Sequence, residues 1–66
     1  MTNIKKRFHF KRAYEGAYVC ETENDLVYVE RSVDFSGAWV ASNVEGVFGR
    51  CEEAKAAARE VMAESE

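Results

Sequence analysis

The length, composition and charge of this chain exclude several classes of protein. It has 66 residues, enough for one small domain, and a chain this short buries only about 60% of the surface that it exposes when unfolded. Two cysteines and one histidine cannot supply the four ligands of a structural zinc site within one chain. No apolar run follows the N-terminal charges, which argues against a signal peptide and a membrane span. We therefore expect a single cytoplasmic domain over residues 1–66, with reduced thiols, no metal and no cofactor.

The net charge of −3 conceals a strong asymmetry along the sequence. Residues 1–12 contain five bases and no acid, whereas residues 13–66 contain four bases and all twelve acids, a balance of −8. The bases concentrate in KKRFHFKR, residues 5–12, where two phenylalanines alternate with charged or titratable side chains. Because successive strand side chains point to opposite faces, this pattern predicts a half-buried first strand with Phe8 and Phe10 inside. Its solvent face would hold a basic stripe, which we define as Lys5, Arg7, His9 and Lys11.

The next run, AYVCETENDLVYVERSV, predicts a β-hairpin with Asn24 and Asp25 as its two loop residues. This register defines three cross-strand pairs: Glu23 with Leu26, Cys20 with Val29, and Tyr18 with Arg31. The compact apolar side chains then share one face, which we expect to be the core: Tyr18, Cys20, Thr22, Val27 and Val29. The other face holds Val19, Glu21, Glu23, Leu26, Tyr28 and Glu30. Asn-Asp is a weaker turn signal than Asn-Gly, and a slip of one residue would exchange the two faces.

The rest of the chain predicts a second hairpin and a helix. Residues 37–42 and 46–49 have the pattern of short strands with a turn near Asn43–Gly46. Residues 51–64 repeat apolar side chains at helical spacing and are rich in alanine, which favours a helix. The economical architecture is α+β: an antiparallel sheet of four to five strands over about residues 5–49, with one C-terminal helix packed across one face.

The sequence contains no recognisable set of catalytic residues, so we expect a protein that is not an enzyme. His9 has no neighbouring carboxylate or nucleophile in the sequence that would make it a catalytic base. Cys51 stands at the predicted helix start, where backbone amides favour a thiolate, but the adjacent Glu52 and Glu53 favour a packed thiol. Neither a Gly-x-Ser-x-Gly elbow nor a glycine-rich phosphate loop occurs.

Two surfaces remain as candidate binding sites, and each is also compatible with an ordinary solvated face. The first is the acidic face of the central hairpin, where acids surround two large apolar side chains: Glu21, Glu23, Leu26, Tyr28 and Glu30. Aromatic and apolar anchors with complementary charge are typical of protein interfaces, so this surface predicts a partner with a basic surface. The alternative is the basic stripe, which predicts nucleic-acid binding that is weak and salt-sensitive because so few charges would contact phosphates. Alternation places the two phenylalanines on the other face, where they would not stack on bases. A self-associating homodimer is a third hypothesis, since small cores are often completed by association.

The segment GAWVASNVEGVFGRCEEAKAAA resembles small phage and prophage accessory proteins. The resemblance rests on a Gly-x-Trp strand, a turn, a short strand ending in Phe-Gly-Arg, and a helix rich in Glu, Ala and Lys. Members of this loose group with assigned roles are often anti-CRISPR or other host-takeover proteins, which bind a host complex and perform no chemistry. The resemblance therefore implies an inhibitor of a host defence complex. It transfers no functional residue, because the group shares no common site.

Overall fold

A five-stranded antiparallel sheet and one C-terminal helix form the structure, a computed structural model that describes residues 8–22 and 25–64. The elements are β1 (Lys11–Tyr14), β2 (Ala17–Glu21), β3 (Leu26–Arg31), β4 (Trp39–Ala41), β5 (Val44–Phe48) and α1 (Cys51–Glu64). Each strand pairs with the next, so the order in the sheet is β1-β2-β3-β4-β5. The predicted α+β architecture is confirmed. Three residues of the predicted sites lie outside the described ranges: Lys5, Arg7 and Glu23.

The segment before β1 fills the core without belonging to the sheet. β1 begins only at Lys11, so the predicted first strand is wrong over residues 8–10. Phe8 and Phe10 are nonetheless buried, as their alternation with polar residues predicts. The Phe8 carbonyl accepts a hydrogen bond of 2.9 Å from Nε of Arg59 in α1. This bond attaches the segment to the helix, which explains how it is held in place outside a strand ladder.

The β2–β3 hairpin has the predicted faces but not the predicted register. The observed pairs are Tyr18 with Val29, Cys20 with Val27, and Glu21 with Leu26. The hairpin closes at Thr22 and Asp25, one position earlier in the chain than expected. The Thr22 N–H donates to the Asp25 carbonyl at 2.8 Å, and the Thr22 hydroxyl accepts the Asp25 N–H at 2.9 Å. This change moves every cross-strand partner by two residues, an even number, so the core face is preserved.

The second hairpin turns earlier than predicted. Val44 already pairs with Ala41, so the turn lies at residues 42–43 and Gly46 belongs to β5. Asn43 explains this placement, because its Nδ2 donates to the Ala58 carbonyl of α1 at 3.1 Å and ties the turn to the helix. Gly46 has a φ of +98°, at the point where the strand register shifts. Glycine adopts this conformation without a steric penalty, which allows the bulge.

The helix covers one side of the sheet, where it packs against β3, β4 and β5. Three buried residues of α1 are spaced four positions apart, and each has a small or flexible side chain: Ala54, Ala58 and Met62. These positions share one face of an α-helix, so the predicted helix and its orientation follow from the 3.6-residue period. The sheet and the N-terminal segment complete the core with Phe8, Phe10, Cys20, Val27, Val29 and Ala41.

Candidate protein-binding face

The sheet face opposite α1, called the helix-free face, is built from the side chains that alternate with the core residues. Tyr28 lies between the buried Val27 and Val29, so it points away from the core, and Val19 is its cross-strand partner. Glu21 pairs with Leu26 on the same face. Pairing and alternation together assign ten residues to this face: Lys11, Tyr14, Ala17, Val19, Glu21, Leu26, Tyr28, Glu30, Val40 and Val47.

Large apolar side chains remain accessible across the helix-free face. The exposed fraction is 48% for Leu26, 38% for Tyr28, 60% for Tyr14 and 49% for Val47. Single exposed apolar residues are ordinary on a protein surface, but several on one face of a sheet are typical of an interaction surface. Of the five residues of the predicted acidic face, Glu23 lies outside the described residues, and the structure places the other four together on this face: Glu21, Leu26, Tyr28 and Glu30.

The charges of this face are mixed rather than purely acidic. Glu21 lies opposite Leu26, and Glu30 follows Tyr28 by two positions along β3. Lys11 of β1 pairs with Val19, so this member of the basic stripe lies on the same face as the two acids. Among the described residues, the face therefore presents carboxylates on β2 and β3 and one ammonium group, that of Lys11, on its β1 edge.

Three hydrogen bonds involve the two tyrosines of the helix-free face, Tyr14 and Tyr28. The Tyr14 hydroxyl donates to Oε2 of Glu30 at 3.2 Å, a contact that spans from β1 to β3. That hydrogen bond, together with the negative charge of Glu30, raises the pKa of Tyr14 above its ordinary value. On the other side of β3, the Tyr28 N–H donates to Oγ of Ser42 at 3.0 Å, and the Ser42 N–H donates to the Tyr28 carbonyl at 2.8 Å.

The basic stripe does not extend as one surface through the described residues. His9 is exposed in the segment before β1, between the two buried phenylalanines. Lys11 is on the helix-free face, whereas Arg12 pairs with Tyr18 and so belongs to the helix side of the sheet. Phe8 and Phe10 are buried, which removes them as stacking surfaces for bases.

Sequence reasoning missed the loop between β3 and β4. Val33 is 97% exposed and Phe35 59% exposed, although both are large and apolar. The signal is visible in SVDFSG, where two apolar residues interrupt a turn that is otherwise built from Ser, Asp and Gly. A pattern of this kind favours an exposed apolar side chain, because the flanking turn residues leave no strand or helix to bury it.

The remaining chemistry of the described residues is limited. Among them, no three His, Cys, Asp or Glu side chains are grouped so that they could hold a metal ion. Cys20 and Cys51 are free, and burial raises the pKa of both thiols. Over the same part of the chain, no helix has the length and apolar character that crossing a membrane requires. Comparison with protein-family models, curated proteins and solved structures found no match to this chain.

Proposed function

We propose that this chain is a non-enzymatic protein-binding module that holds a partner with a basic surface on its helix-free face. The observation that supports this proposal is a pair of exposed anchors bordered by carboxylates. Leu26 and Tyr28 are neighbours on one face of β3, with Glu21 across from the first and Glu30 beyond the second.

The two kinds of side chain contribute different parts of the interaction. Full burial of an apolar side chain stabilises a complex by roughly 1.5–3 kcal/mol, so Leu26 and Tyr28 would supply affinity. Glu21 and Glu30 would attract lysine or arginine side chains of the partner and speed the encounter. Lys11 at the β1 edge would repel basic groups of the partner at that edge and so help to fix the orientation of the partner.

The class of partner follows from the resemblance of residues 37–58 to phage accessory proteins. Proteins of that group with assigned roles often bind host complexes. We therefore propose that the partner is a protein of a host defence complex, with the chain acting as an anti-CRISPR-like inhibitor. Complexes that handle nucleic acid expose basic surfaces, which matches the charge of the central strands.

The proposal is tested by affinity capture from a bacterial lysate, with and without nuclease, read by mass spectrometry. The bait is used as wild type, as Leu26→Ser and as Val33→Ser. Both substitutions remove an exposed apolar side chain, but Val33 lies in the β3–β4 loop and not on the helix-free face. We expect a stoichiometric protein that survives nuclease and is retained by wild type and Val33→Ser, but is lost by Leu26→Ser.

Two other results would contradict the proposal. Capture that disappears with nuclease would indicate nucleic acid as the ligand, and capture unchanged by Leu26→Ser would exclude this face. Sedimentation of the purified chain tests the third hypothesis. A dimer that dissociates on Leu26→Ser would mean that a second copy occupies the face in place of a host protein.

A further inference from the structure

The loop between β3 and β4 holds a phenylalanine in solvent by local hydrogen bonds. The Ser32 hydroxyl oxygen accepts the N–H groups of Asp34 at 3.2 Å and Phe35 at 3.1 Å. The Ala38 N–H donates to the Phe35 carbonyl at 3.1 Å, and the Ser32 N–H donates to the Ala38 carbonyl at 2.9 Å. The backbone of the loop is therefore ordered while the Phe35 ring remains largely exposed. An exposed ring on an ordered turn is available for stacking.

The two residues that flank this loop make a cation–π contact between a guanidinium group and an indole ring. Arg31 pairs with Trp39, and the guanidinium carbon lies 5.6 Å from the Trp39 ring centroid. The stem of Arg31 runs past Gly16, where a Cβ would meet Cδ of Arg31 at 3.5 Å. Arg31 forms no ion pair with any residue that the structure describes. It is thus an arginine held by packing on two sides, with its hydrogen-bond donors free for an anion.

Further cations border the same aromatic group. Nζ of Lys55 lies 3.9 Å from the Tyr18 ring centroid, and the Tyr18 and Trp39 rings are 6.2 Å apart. Lys55 also meets Glu52 Oε1 at 3.5 Å and its side chain is only 13% exposed, so its ammonium group is largely engaged within the protein. Arg12 is the cross-strand partner of Tyr18. Arg31 and Lys55 therefore each contact one of the two rings on the helix side of the sheet, away from the helix-free face.

We propose that this end of the molecule, the loop-end site of Phe35, Arg31, Trp39 and Tyr18, binds single-stranded nucleic acid. Bases stack on exposed aromatic rings and on guanidinium planes, which Phe35 and the Trp39-supported Arg31 provide. Arg31 is exposed, and its donors pair with a phosphate. An acidic peptide would use only the charge of Arg31 and leave both stacking surfaces without a role, so the planar groups favour nucleic acid. This site is independent of the helix-free face and of the partner proposed for it.

The test is a titration of the intact chain with labelled oligothymidine and oligouridine at low salt. Anisotropy of the label measures binding, and fluorescence of Trp39, the one tryptophan of the sequence, reports on the site itself. We expect saturable binding that Phe35→Ser and Arg31→Gln each weaken roughly tenfold, as for loss of one stacking or phosphate contact. Arg31→Lys keeps the charge but loses the planar group, so it is also expected to weaken binding. Lys11→Gln is the matched control, since it removes one cation from the opposite face and should change affinity less than about twofold.

Each contrary outcome overturns the assignment. Absence of binding at low salt excludes a nucleic-acid site, and equal affinity for a polyglutamate peptide identifies a site for acidic peptides. Equal loss with Lys11→Gln and Arg31→Gln places the site at the basic stripe. Phe35 is exposed, so Phe35→Ser remains informative if circular dichroism shows that an Arg31 variant does not fold. A negative result in this titration would not contradict the protein-binding proposal for the helix-free face, because that proposal is tested with a different ligand and different variants.

Discussion

Tyr14 and Glu30 form a side-chain contact whose effect can be measured by titration. The hydrogen bond to Glu30 and the charge of its carboxylate raise the pKa of Tyr14, because both favour the neutral phenol. Since the folded-state pKa is the higher one, the contact stabilises the fold below pH about 10, and this contribution is lost as pH rises through the folded-state pKa. We expect Glu30→Gln to lower the pKa of Tyr14 towards its ordinary value, as followed by the ultraviolet absorbance of tyrosinate. Glu21→Gln removes a charge from the same face without touching Tyr14, so an equal shift in both variants would contradict this assignment.

Arg59 is a buried residue that joins the helix to the N-terminal segment. It donates to the Phe8 carbonyl, and its guanidinium carbon lies 5.3 Å from the Phe10 ring centroid. Arg59→Met retains much of the packing but leaves that carbonyl without this donor, so we expect the free energy of unfolding to fall by about 1–3 kcal/mol. Urea denaturation followed by Trp39 fluorescence measures the change. Arg50→Met alters an exposed arginine and should change stability by less than about 0.5 kcal/mol; a loss as large as that of Arg59→Met would mean that burial is not the cause.

At the scale of an element, β5 depends on the backbone conformation of one glycine. Gly46 has a φ of +98°, and a Cβ added there would meet no atom within 4 Å. The cost of Gly46→Ala is therefore conformational and not a clash, and we expect a loss of about 1–2 kcal/mol in the free energy of unfolding. Gly49→Ala is the matched control, because Gly49 does not have a positive φ and its Cβ would make only an ordinary contact of 3.7 Å with Glu53. Chemical denaturation of both variants decides the point, and equal losses would show that the φ of Gly46 is not the reason.

The strands and the helix were predictable from the sequence where apolar side chains repeat with the period of a strand or a helix. Alternation placed Phe8, Phe10, Val27 and Val29 in the core, and helical spacing gave α1 over residues 51–64. The register of the first hairpin was not predictable, because the side-chain hydrogen bonds of Thr22 decide between two adjacent polar pairs. The second turn likewise depends on Asn43 reaching the Ala58 carbonyl, a contact between residues far apart in the sequence.

The candidate sites were predictable to a smaller extent. Glu21, Leu26, Tyr28 and Glu30 share a face because the register error was an even number of residues. The cation–π contact of Arg31 with Trp39 could not be foreseen, since the expected register placed Arg31 opposite Tyr18. Phe35 was missed for a different reason: apolar residues are usually buried, and only the hydrogen bonds of Ser32 show that its loop holds the ring outside.

At the scale of the whole molecule, the fold separates two surfaces that the sequence interleaves. The helix-free face presents Glu21 and Glu30 beside apolar anchors, whereas on the helix side Arg31 and Lys55 lie against aromatic rings. Arg12 and Lys11 are consecutive in the chain, yet strand alternation directs them to opposite sides. A net charge of −3 therefore describes neither surface, and binding to either one should depend on local charge.

This separation predicts how charge reversal affects association with a basic protein partner. Glu21→Lys combined with Glu30→Lys should slow association roughly tenfold at low salt, because two attractive carboxylates become repulsive ammonium groups at the interface. The difference from wild type should shrink as salt screens the charges. Association rates measured by stopped flow at low and high salt, with the captured partner, provide the test.

The matched control for this prediction is the pair Glu53→Lys and Glu60→Lys. Both residues are exposed on α1, and the double variant changes the net charge by the same amount without altering the helix-free face. We expect it to retain most of the wild-type association rate, since steering depends on charges close to the contact surface. An equal decrease in both double variants would show that the partner responds to total charge. The helix-free face would then no longer be supported as the binding surface.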